Sequence, residues 1–349
     1  MKKFAVQYVI VAAVLSLLPT SLFAVDMVMK RSDGKTVNGV ISGMSKTELT
    51  LKRTGGEETI PAYDIAQITW DGGGGELKLG YSDENNGRYD SANQRYLKAK
   101  VDAKNPSEYL KGELEYLIAR VAAKQGLGDP DKREGAIQKL QAAQRTYPEH
   151  IRYYESIQLL SQVQLAAKDF NGARNTVEAL KKAPWSDLNL AGQIIEGRVL
   201  MGEGKIDEAI AAFNAASNSG GDSPAETARK YEAKLGQATC LVTQTKFDEA
   251  LRILDEVTEK GPIDDSAVQA EAYVLQGRAL QGLGRNKEAA LSYLHVDILF
   301  PKEANYHAES LYQLSGLWKL VQHPDRSIEA AGKLVQIYPN SEWRKKLAE

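Results

Sequence analysis

Two stretches of the sequence decide the fold: GRVLMGEGKIDEAIAAFN at residues 197–214 and GRALQGLGRNKEAALSYL at residues 277–294. In each, apolar residues at helical spacing stand on both sides of a Gly-x-Gly break. A basic residue follows the break, and acidic residues open the second half, as they do in the first turn of many helices. Each stretch therefore predicts two helices joined by a short turn.

The same pattern recurs from Leu77 to the end of the sequence. When the segments are aligned on one small residue, the intervals between them are 44, 37, 36, 41, 39 and 38 residues. This repeat length predicts a mainly α fold, an antiparallel helix-pair solenoid of about seven repeats. The aligned residues are Ala92, Ala136, Ala173, Ala209, Ala250, Ala289 and Ser327.

Three further columns accompany the aligned residue. Twelve positions earlier the residue is small in six of seven repeats, which predicts that two helix backbones approach closely there. Four positions later the residue is mostly large and apolar, and twelve positions later a proline closes four repeats because it cannot continue a helix. The earlier residues are Gly80, Lys124, Ser161, Gly197, Ala238, Gly277 and Ser315. The later residues are Tyr96, Leu140, Val177, Phe213, Leu254, Tyr293 and Ala331, and the prolines are Pro148, Pro262, Pro301 and Pro339.

These columns resemble the tetratricopeptide repeat family over about 270 residues. All intervals exceed the 34 residues of that family, and residues 126–131 form an insertion in the second repeat, so we expect departures from a regular superhelix. A HEAT-type array, with repeats of roughly 40 residues, is the alternative. The paired small residues and the closing prolines favour tetratricopeptide pairing.

Residues 26–70 have a different pattern. Asp33-Gly34 and Gly55-Gly56 are hairpin-turn signals, and apolar or β-branched residues alternate between them, as Leu49 and Leu51 do. So short a region buries little surface, which favours a compact closed barrel. The pattern resembles SH3-like or Sm-like small barrels, which bind peptides, RNA or copies of themselves, so oligomerisation through the barrel is an open expectation.

Four glycines follow Asp71. They predict a flexible linker, because a phosphate-binding loop would need a Lys-Ser/Thr pair and a helix behind it. The domains predicted from the sequence are a signal peptide at 1–24, a small β-barrel at 25–71, a linker at 72–75 and the helical solenoid at 76–349.

The first 24 residues have the order of a secretory signal peptide. Lys2 and Lys3 precede an apolar run from Phe4 to Leu18, and Ala24 ends a small-residue cleavage site. An uncleaved anchor is the alternative, but 15 residues are short for the roughly 20 that a spanning helix needs. We therefore expect a periplasmic or secreted protein with no membrane span in the mature chain.

The composition argues against several classes of function. The 44 basic and 46 acidic side chains show no basic patch, so nucleic acid is not the expected partner. The small barrel as a nucleic-acid module is disfavoured by export and by its six basic and six acidic side chains. Cys240 is the single cysteine and the four histidines have no metal-ligand spacing, so we predict no catalytic residue, metal or cofactor. We interpret the histidines as surface or helix-end residues, and Cys240 as a buried thiol.

The resemblance implies a peptide-binding groove lined by the first helix of each pair. Two columns face it by family geometry, eleven and fifteen residues before the aligned residue. The residues eleven positions before it are Gln162, Arg198, Thr239, Arg278 and Gly316, and those fifteen positions before it are Gln158, Ile194, Leu235, Val274 and Tyr312. Arg198 and Arg278 would suit a peptide carboxylate, or would simply pair with a neighbouring acidic side chain.

Two classes of function remain open. The first is an exported, non-enzymatic scaffold that binds a protein or peptide partner in the solenoid. The second is an envelope polysaccharide-processing factor or other enzyme whose site forms only in three dimensions. A deep cleft in which titratable groups converge would favour the enzyme.

Export gives the first testable prediction. If residues 1–24 are a signal peptide, signal peptidase removes them after Ala24, and the mature protein begins near Val25. Amino-terminal sequencing of the protein from an envelope fraction checks this expectation. A full-length product in the cytosol would contradict it.

Overall fold

A computed structural model describes residues 25–348, and the predicted signal peptide lies outside the described residues. Within them, five β-strands are followed by fifteen α-helices. The strands are β1 (Asp26–Lys30), β2 (Thr36–Met44), β3 (Glu48–Arg53), β4 (Gly56–Pro61) and β5 (Ile65–Thr69). The helices are α1 (Gly74–Asn85), α2 (Tyr89–Asp102), α3 (Glu108–Gly128), α4 (Arg133–Thr146), α5 (Tyr153–Ala166), α6 (Phe170–Lys181), α7 (Ser186–Gly202), α8 (Ile206–Ser217), α9 (Pro224–Thr243), α10 (Phe247–Lys260), α11 (Ser266–Gly282), α12 (Asn286–Leu299), α13 (Ala304–Leu320), α14 (Pro324–Ile337) and α15 (Glu342–Leu347).

The strands form one antiparallel sheet in the order β4-β3-β2-β1-β5. The glycines predict two of its turns correctly: Gly34 has φ +67° and Gly55 has φ +103°, values that only glycine adopts easily. The period-two pattern also holds, because Leu49 and Leu51 are both buried on one face. The first residues of the long strand β2 pair with β1, and the rest pair with β3. The register of β2 with β3 shifts between Ile41 and Gly43.

The sheet does not close into the barrel that the sequence predicts. Strands β4 and β5 are its edges, no ladder joins them within the described residues, and a one-turn 3-10 helix (Ala62–Asp64) connects them. The reason is that helices bury the apolar surface that barrel closure would bury. Leu77 of α1 and Leu110 of α3 belong to the same apolar cluster as Val28 and Trp70 of the β region.

The glycine run leads directly into the first helix. Gly73 is buried, α1 begins at Gly74, and a Cβ at position 73 would lie 2.4 Å from the Leu77 side chain. The change from strand to helix falls between Thr69 and Gly74, near the predicted boundary. The domain limits and the flexibility of 72–75 stay predictions, while the shared core makes the β region a cap on the first helices.

The first fourteen helices form seven antiparallel pairs, as the repeat predicts, and α15 follows the last pair. All seven aligned small residues lie on the second helix of their pair and are buried. Each of the four closing prolines stands two residues after the end of a second helix, as Pro301 does after Leu299. Proline at this place is common because it cannot extend the helix.

The small residue twelve positions before the aligned residue makes room for a side chain rather than for a backbone. The pairs are Gly80 with Tyr96, Gly197 with Phe213 and Gly277 with Tyr293, where an added Cβ would lie 2.4, 2.7 and 2.6 Å from the ring. In the other four repeats the earlier residue is not glycine and the later one is not aromatic. Glycine and ring therefore occur together, which corrects the expectation of a close backbone approach.

The array curves so that the segment after its last helix pair meets the second repeat. The Asn340 side-chain amide donates to the Asp129 carboxylate over 3.4 Å, and Lys345 Nζ lies 3.9 Å from Asp131 Oδ1. Both aspartates belong to the insertion at residues 126–131. The insertion thus contacts the C-terminal segment that follows the last helix pair.

The glycine–ring pairs give a second prediction. Gly197→Ala should lower the free energy of unfolding by about 1–3 kcal/mol, because the added methyl overlaps the rigid Phe213 ring. Phe213→Leu in the same chain should restore part of that loss. Urea unfolding followed by circular dichroism measures both.

The control for that experiment is Gly316→Ala in α13. A Cβ at position 316 meets nothing within 4 Å, so alanine should stabilise the helix by roughly 0.5–1 kcal/mol. Equal effects of Gly197→Ala and Gly316→Ala would show that the ring contact has no energetic importance.

Candidate functional site

The structure does not bring the nine predicted groove residues together. Three apolar members, Ile194, Leu235 and Val274, are buried in separate apolar clusters between the helices. Ile194, for example, packs with Phe213 of its partner helix α8. These three members of the column fifteen residues before the aligned residue therefore face the core. The structure places these three residues away from the groove surface.

The two predicted groove arginines are paired with carboxylates of this chain. Arg278 donates two hydrogen bonds of 2.5 Å to Glu309, and Arg198 Nη2 lies 3.5 Å from Glu271. Glu271 also accepts a hydrogen bond of 2.8 Å from the Tyr306 hydroxyl. A ligand role for the two arginines stays a prediction, and in this conformation a ligand would have to replace these carboxylates.

The polar members of the set lie in different surroundings. Thr239 donates to a backbone carbonyl of its own helix over 2.8 Å, and the Tyr312 ring lies 5.4 Å from that of Trp343. Only Gln158 and Gln162 line one cleft together.

A row of alternating acidic and arginine side chains crosses α1, α3 and the start of α5. We call Glu84, Arg120, Glu155, Arg152 and Glu113 the acid–arginine row. Arg120 donates two hydrogen bonds of 2.8 Å to Glu84, and Arg152 donates two of 2.8 and 2.7 Å to Glu113. Glu155 accepts one hydrogen bond from each arginine, of 3.1 and 3.0 Å. The row joins the first helices of the first three repeats.

The two end carboxylates of the row are buried and fully hydrogen-bonded. The Tyr81 hydroxyl donates to Glu113 over 2.6 Å, and the Tyr96 hydroxyl donates to Glu84 over 2.7 Å. Burial by itself raises the pKa of Glu113, but the charge and hydrogen bonds of Arg152, together with the Tyr81 hydrogen bond, lower the pKa to about 2. Glu113 is therefore ionised at neutral pH, and its charge is compensated.

No pattern in the sequence indicates this row. Glu84, Arg120 and Glu155 stand eight, sixteen and eighteen residues before the aligned residue of their repeats, so no repeat column contains them. Acidic and basic residues on a helix usually face water, and only the tertiary structure shows that these face each other.

His150 lies beside the row, in the connection between α4 and α5, and is buried rather than at the surface. Its Nε2 donates to the Tyr109 carbonyl oxygen over 3.2 Å, and its Nδ1 accepts from the Arg152 amide over 3.3 Å. Burial lowers the pKa of His150 to about 4, so the ring is neutral at pH 7. Gly112 leaves space for it, since a Cβ there would lie 2.8 Å from the ring.

The cysteine and a second histidine are buried in the packed interior. Cys240 is buried, as expected, and burial raises the pKa of its thiol to about 11. His307 is also buried, which differs from the surface interpretation, and it contacts Asp297 at 2.9 Å and the Tyr338 hydroxyl at 2.8 Å. Within residues 25–348, no group of three or more His, Cys, Asp or Glu side chains could hold a metal ion.

A cleft of about 250 Å³ lies between the β region and the start of α5 and α7, and we call it the junction cleft. Tyr63, Trp185 and Tyr154 line it as a run of edge-to-face rings, with centroid distances of 6.0 and 5.8 Å. Tyr63 comes from the 3-10 helix of the β region and is 63% exposed. Arg31, Lys46 and Asp187 complete the rim.

A second cleft of about 330 Å³ continues from the first along the inner side of α3 and α5, and we call it the inner cleft. Arg120, Lys124 and Gln162 line it, while Glu155 and Gln158 line both clefts. The two clefts therefore form one path with an aromatic end and a charged end. This path is the candidate functional site.

The tetratricopeptide repeat family model matches residues 196–261 and 235–304. These matches lie within the array of antiparallel helix pairs that the structure shows. Residues 196–304 are therefore tetratricopeptide repeats. Over these residues the match supports tetratricopeptide pairing rather than the HEAT-type alternative.

Several solved structures are similar to this chain. A Rap protein complexed with Competence and Sporulation Factor has a TM-score of 0.53 and 13% identity, over 78% of this chain and 75% of that chain. The Rap conjugation gene regulator of the plasmid pLS20, in complex with the Phr* peptide, has a TM-score of 0.50 and 16% identity, over 75% and 74% of the two chains. A tetratricopeptide repeat protein from Parabacteroides merdae has a TM-score of 0.47 and 16% identity, over 79% and 97%. No curated protein sequence matches this chain.

The acid–arginine row gives a third prediction. Glu113→Gln should lower the free energy of unfolding at pH 7 by about 3–5 kcal/mol, because Arg152 loses the buried carboxylate that accepts two of its hydrogen bonds. Glu288→Gln is the control, since Glu288 pairs with Arg285 at the exposed surface and should cost less than about 1 kcal/mol. Urea unfolding measures both variants.

The same pair predicts a pH dependence. The pKa of Glu113 is lowered from 4.5 to about 2 on folding, so its stabilising effect is complete above pH 4.5 and is lost as the pH falls towards 2. The unmodified chain should therefore lose more stability than Glu113→Gln between these pH values. Parallel pH profiles of the two would contradict this assignment.

Proposed function

We propose that this chain is an exported, non-enzymatic scaffold that holds a segment of a partner protein in the junction and inner clefts. Helix-pair arrays present extended surfaces on which such segments bind. Two of the similar structures are complexes with a factor or peptide, namely Competence and Sporulation Factor and the Phr* peptide. Peptide binding by proteins of the same fold supports a peptide ligand here.

The run of aromatic rings at the junction cleft is the observation that carries this proposal. Tyr63, Trp185 and Tyr154 offer broad apolar faces, and each has a polar atom at the edge of its ring. Tyrosine and tryptophan are enriched among the residues that dominate binding energy at interfaces. A segment bound there would contact both the β region and the repeats, and ligand sites are common where two such units meet.

The remaining inner face offers less to a ligand. Arg198 and Arg278 are already paired, and Arg229 reaches across the array to donate to Gln158 over 2.8 Å. A ligand along that face would have to break these contacts, whereas the aromatic end of the clefts is open. We therefore assign binding to the clefts and not to the predicted groove.

The enzyme alternative gains little from the carboxylates that converge beside the clefts. A general acid or base works best with a pKa near the working pH. Burial raises the pKa of Glu113 and of Glu155, but the charges and hydrogen bonds of the arginines together lower both pKa values to about 2. Such carboxylates are not proton donors at neutral pH and are weak bases, which supports the scaffold.

Export is part of the proposal and rests on the order of residues 1–24. Within the described part of the chain, no helix has both the length and the apolar character that a membrane crossing requires. We propose that the mature protein acts in the periplasm or outside the cell, and that its partner is a protein of the same compartment.

The fifth prediction tests the aromatic end of the site. Tyr63→Ala and Trp185→Ala should each reduce capture of the main partner from an envelope extract by at least about tenfold, because an aromatic contact at the centre of an interface is lost. Quantitative mass spectrometry of the captured proteins measures the change. Circular dichroism confirms that each variant is folded.

Ile328→Ala is the matched control. Ile328 is a 71% exposed apolar residue on α14, and its replacement should leave capture unchanged. If Tyr63→Ala and Trp185→Ala capture as much partner as the unmodified chain, the junction cleft is not the binding site.

A further inference from the structure

We infer that the Glu155 carboxylate occupies the place of a carboxylate of the bound partner, so that the ligand of the two clefts is an acidic segment that displaces Glu155 from Arg120 and Arg152. This inference rests on the proposed scaffold function and adds the chemistry of the ligand. It also assigns Glu155 a role as an internal competitor for the site.

Arg120 and Arg152 each donate hydrogen bonds to one buried carboxylate and to Glu155, which is partly exposed. Arg120 uses Nε and Nη2 for Glu84, and Arg152 uses Nε and Nη2 for Glu113. Each arginine gives its Nη1 to Glu155, at 3.1 and 3.0 Å. The two Nη1 groups therefore converge on one carboxylate, which is the geometry that a carboxylate-binding site requires.

Glu155 is more exposed than the other two carboxylates and accepts fewer hydrogen bonds. Its side chain is 39% exposed, while those of Glu84 and Glu113 are 2% and 0% exposed. Tyrosine hydroxyls anchor both buried carboxylates, and Lys124 lies 2.9 Å from Glu84. Glu155 can therefore turn towards water while the two buried pairs stay intact.

Glu155 also stands where the ligand must pass. It lines both clefts, between Trp185 at the aromatic end and Gln162 at the other end. The residues that line the clefts include five cationic and three acidic side chains, so an acidic segment complements their charge better than a basic one. The cationic residues are Arg31, Lys46, Arg120, Lys124 and Arg152, and the acidic ones are Glu84, Glu155 and Asp187.

The exchange leaves no buried charge without a partner. A ligand carboxylate that replaces Glu155 accepts the same two hydrogen bonds from Arg120 and Arg152. Glu155 then moves into solvent, where a carboxylate is well hydrated. A neutral segment could not replace the Glu155 carboxylate, because the Nη1 groups of Arg120 and Arg152 would then lose their charged partner.

The test uses two synthetic peptides that differ in one group, acetyl-Ala-Tyr-Gly-Glu-Gly-Ala-amide and the same peptide with glutamine for glutamate. Isothermal titration calorimetry measures their binding to the unmodified chain and to Glu155→Gln. We expect Glu155→Gln to bind the glutamate peptide at least about tenfold more tightly than the unmodified chain does, since the internal competitor is gone. The affinity for the glutamine peptide should change by less than about twofold.

Glu149→Gln is the matched control for charge. Glu149 pairs with Lys46 at the rim and is 62% exposed, so its replacement removes the same charge nearby without freeing the two arginines. It should change the affinity for the glutamate peptide by less than about threefold. Circular dichroism checks folding, and Glu155→Ala replaces Glu155→Gln if the latter unfolds.

Three results would overturn the inference: an equal gain for both peptides, an equal gain in Glu149→Gln, or no binding of the glutamate peptide by Glu155→Gln. The scaffold proposal would survive each of them if Tyr63→Ala and Trp185→Ala still lose the captured partner. If those two variants lose nothing while Glu155→Gln shows the expected gain, the carboxylate site stands and the aromatic site is wrong.

Discussion

The two buried ion pairs, Arg120 with Glu84 and Arg152 with Glu113, are the interaction on which the site depends. Buried charges cost free energy of solvation, and such a pair persists only when its geometry and remaining hydrogen bonds are good. Here each pair is bidentate and each carboxylate also accepts a tyrosine hydroxyl. Because the partners come from different helices, the pairs fix the angles between the first three repeats and thereby form the inner cleft.

The open sheet is the second constraint on the site. A closed barrel would be a separate unit, and its contact with the helices would be incidental. Here the sheet and the first helices share one apolar cluster, so neither has a complete core alone. This shared core brings Tyr63 within 6.0 Å of Trp185 and forms the junction cleft. The function proposed for the chain thus depends on the contact between its two parts.

The inner face of the array shows how the predicted groove residues are engaged within the chain. In this chain the array curves tightly enough for side chains to meet across it, as Arg229 and Gln158 do. The two groove arginines pair with carboxylates of their own chain, Arg198 with Glu271 and Arg278 with Glu309. The proposed binding site lies where the β region interrupts this pattern, beside Glu155, a carboxylate that is only partly buried.

The sequence by itself determined the helix pairs, their number and the strand region. These features depend on local signals, namely the spacing of apolar residues, the aligned alanines and prolines such as Pro301. Each signal influences the backbone within one or two helical turns. The sequence could also have linked Gly197 to Phe213, since the two vary together among the repeats. It could not locate the candidate site. Arg120 and Glu155 are 35 residues apart and hold different places in their repeats, so only the packing of the helices brings them together. Local patterns are periodic and can be recognised in the sequence. The pairing of charges depends instead on the curvature of the array, which results from all the contacts between repeats.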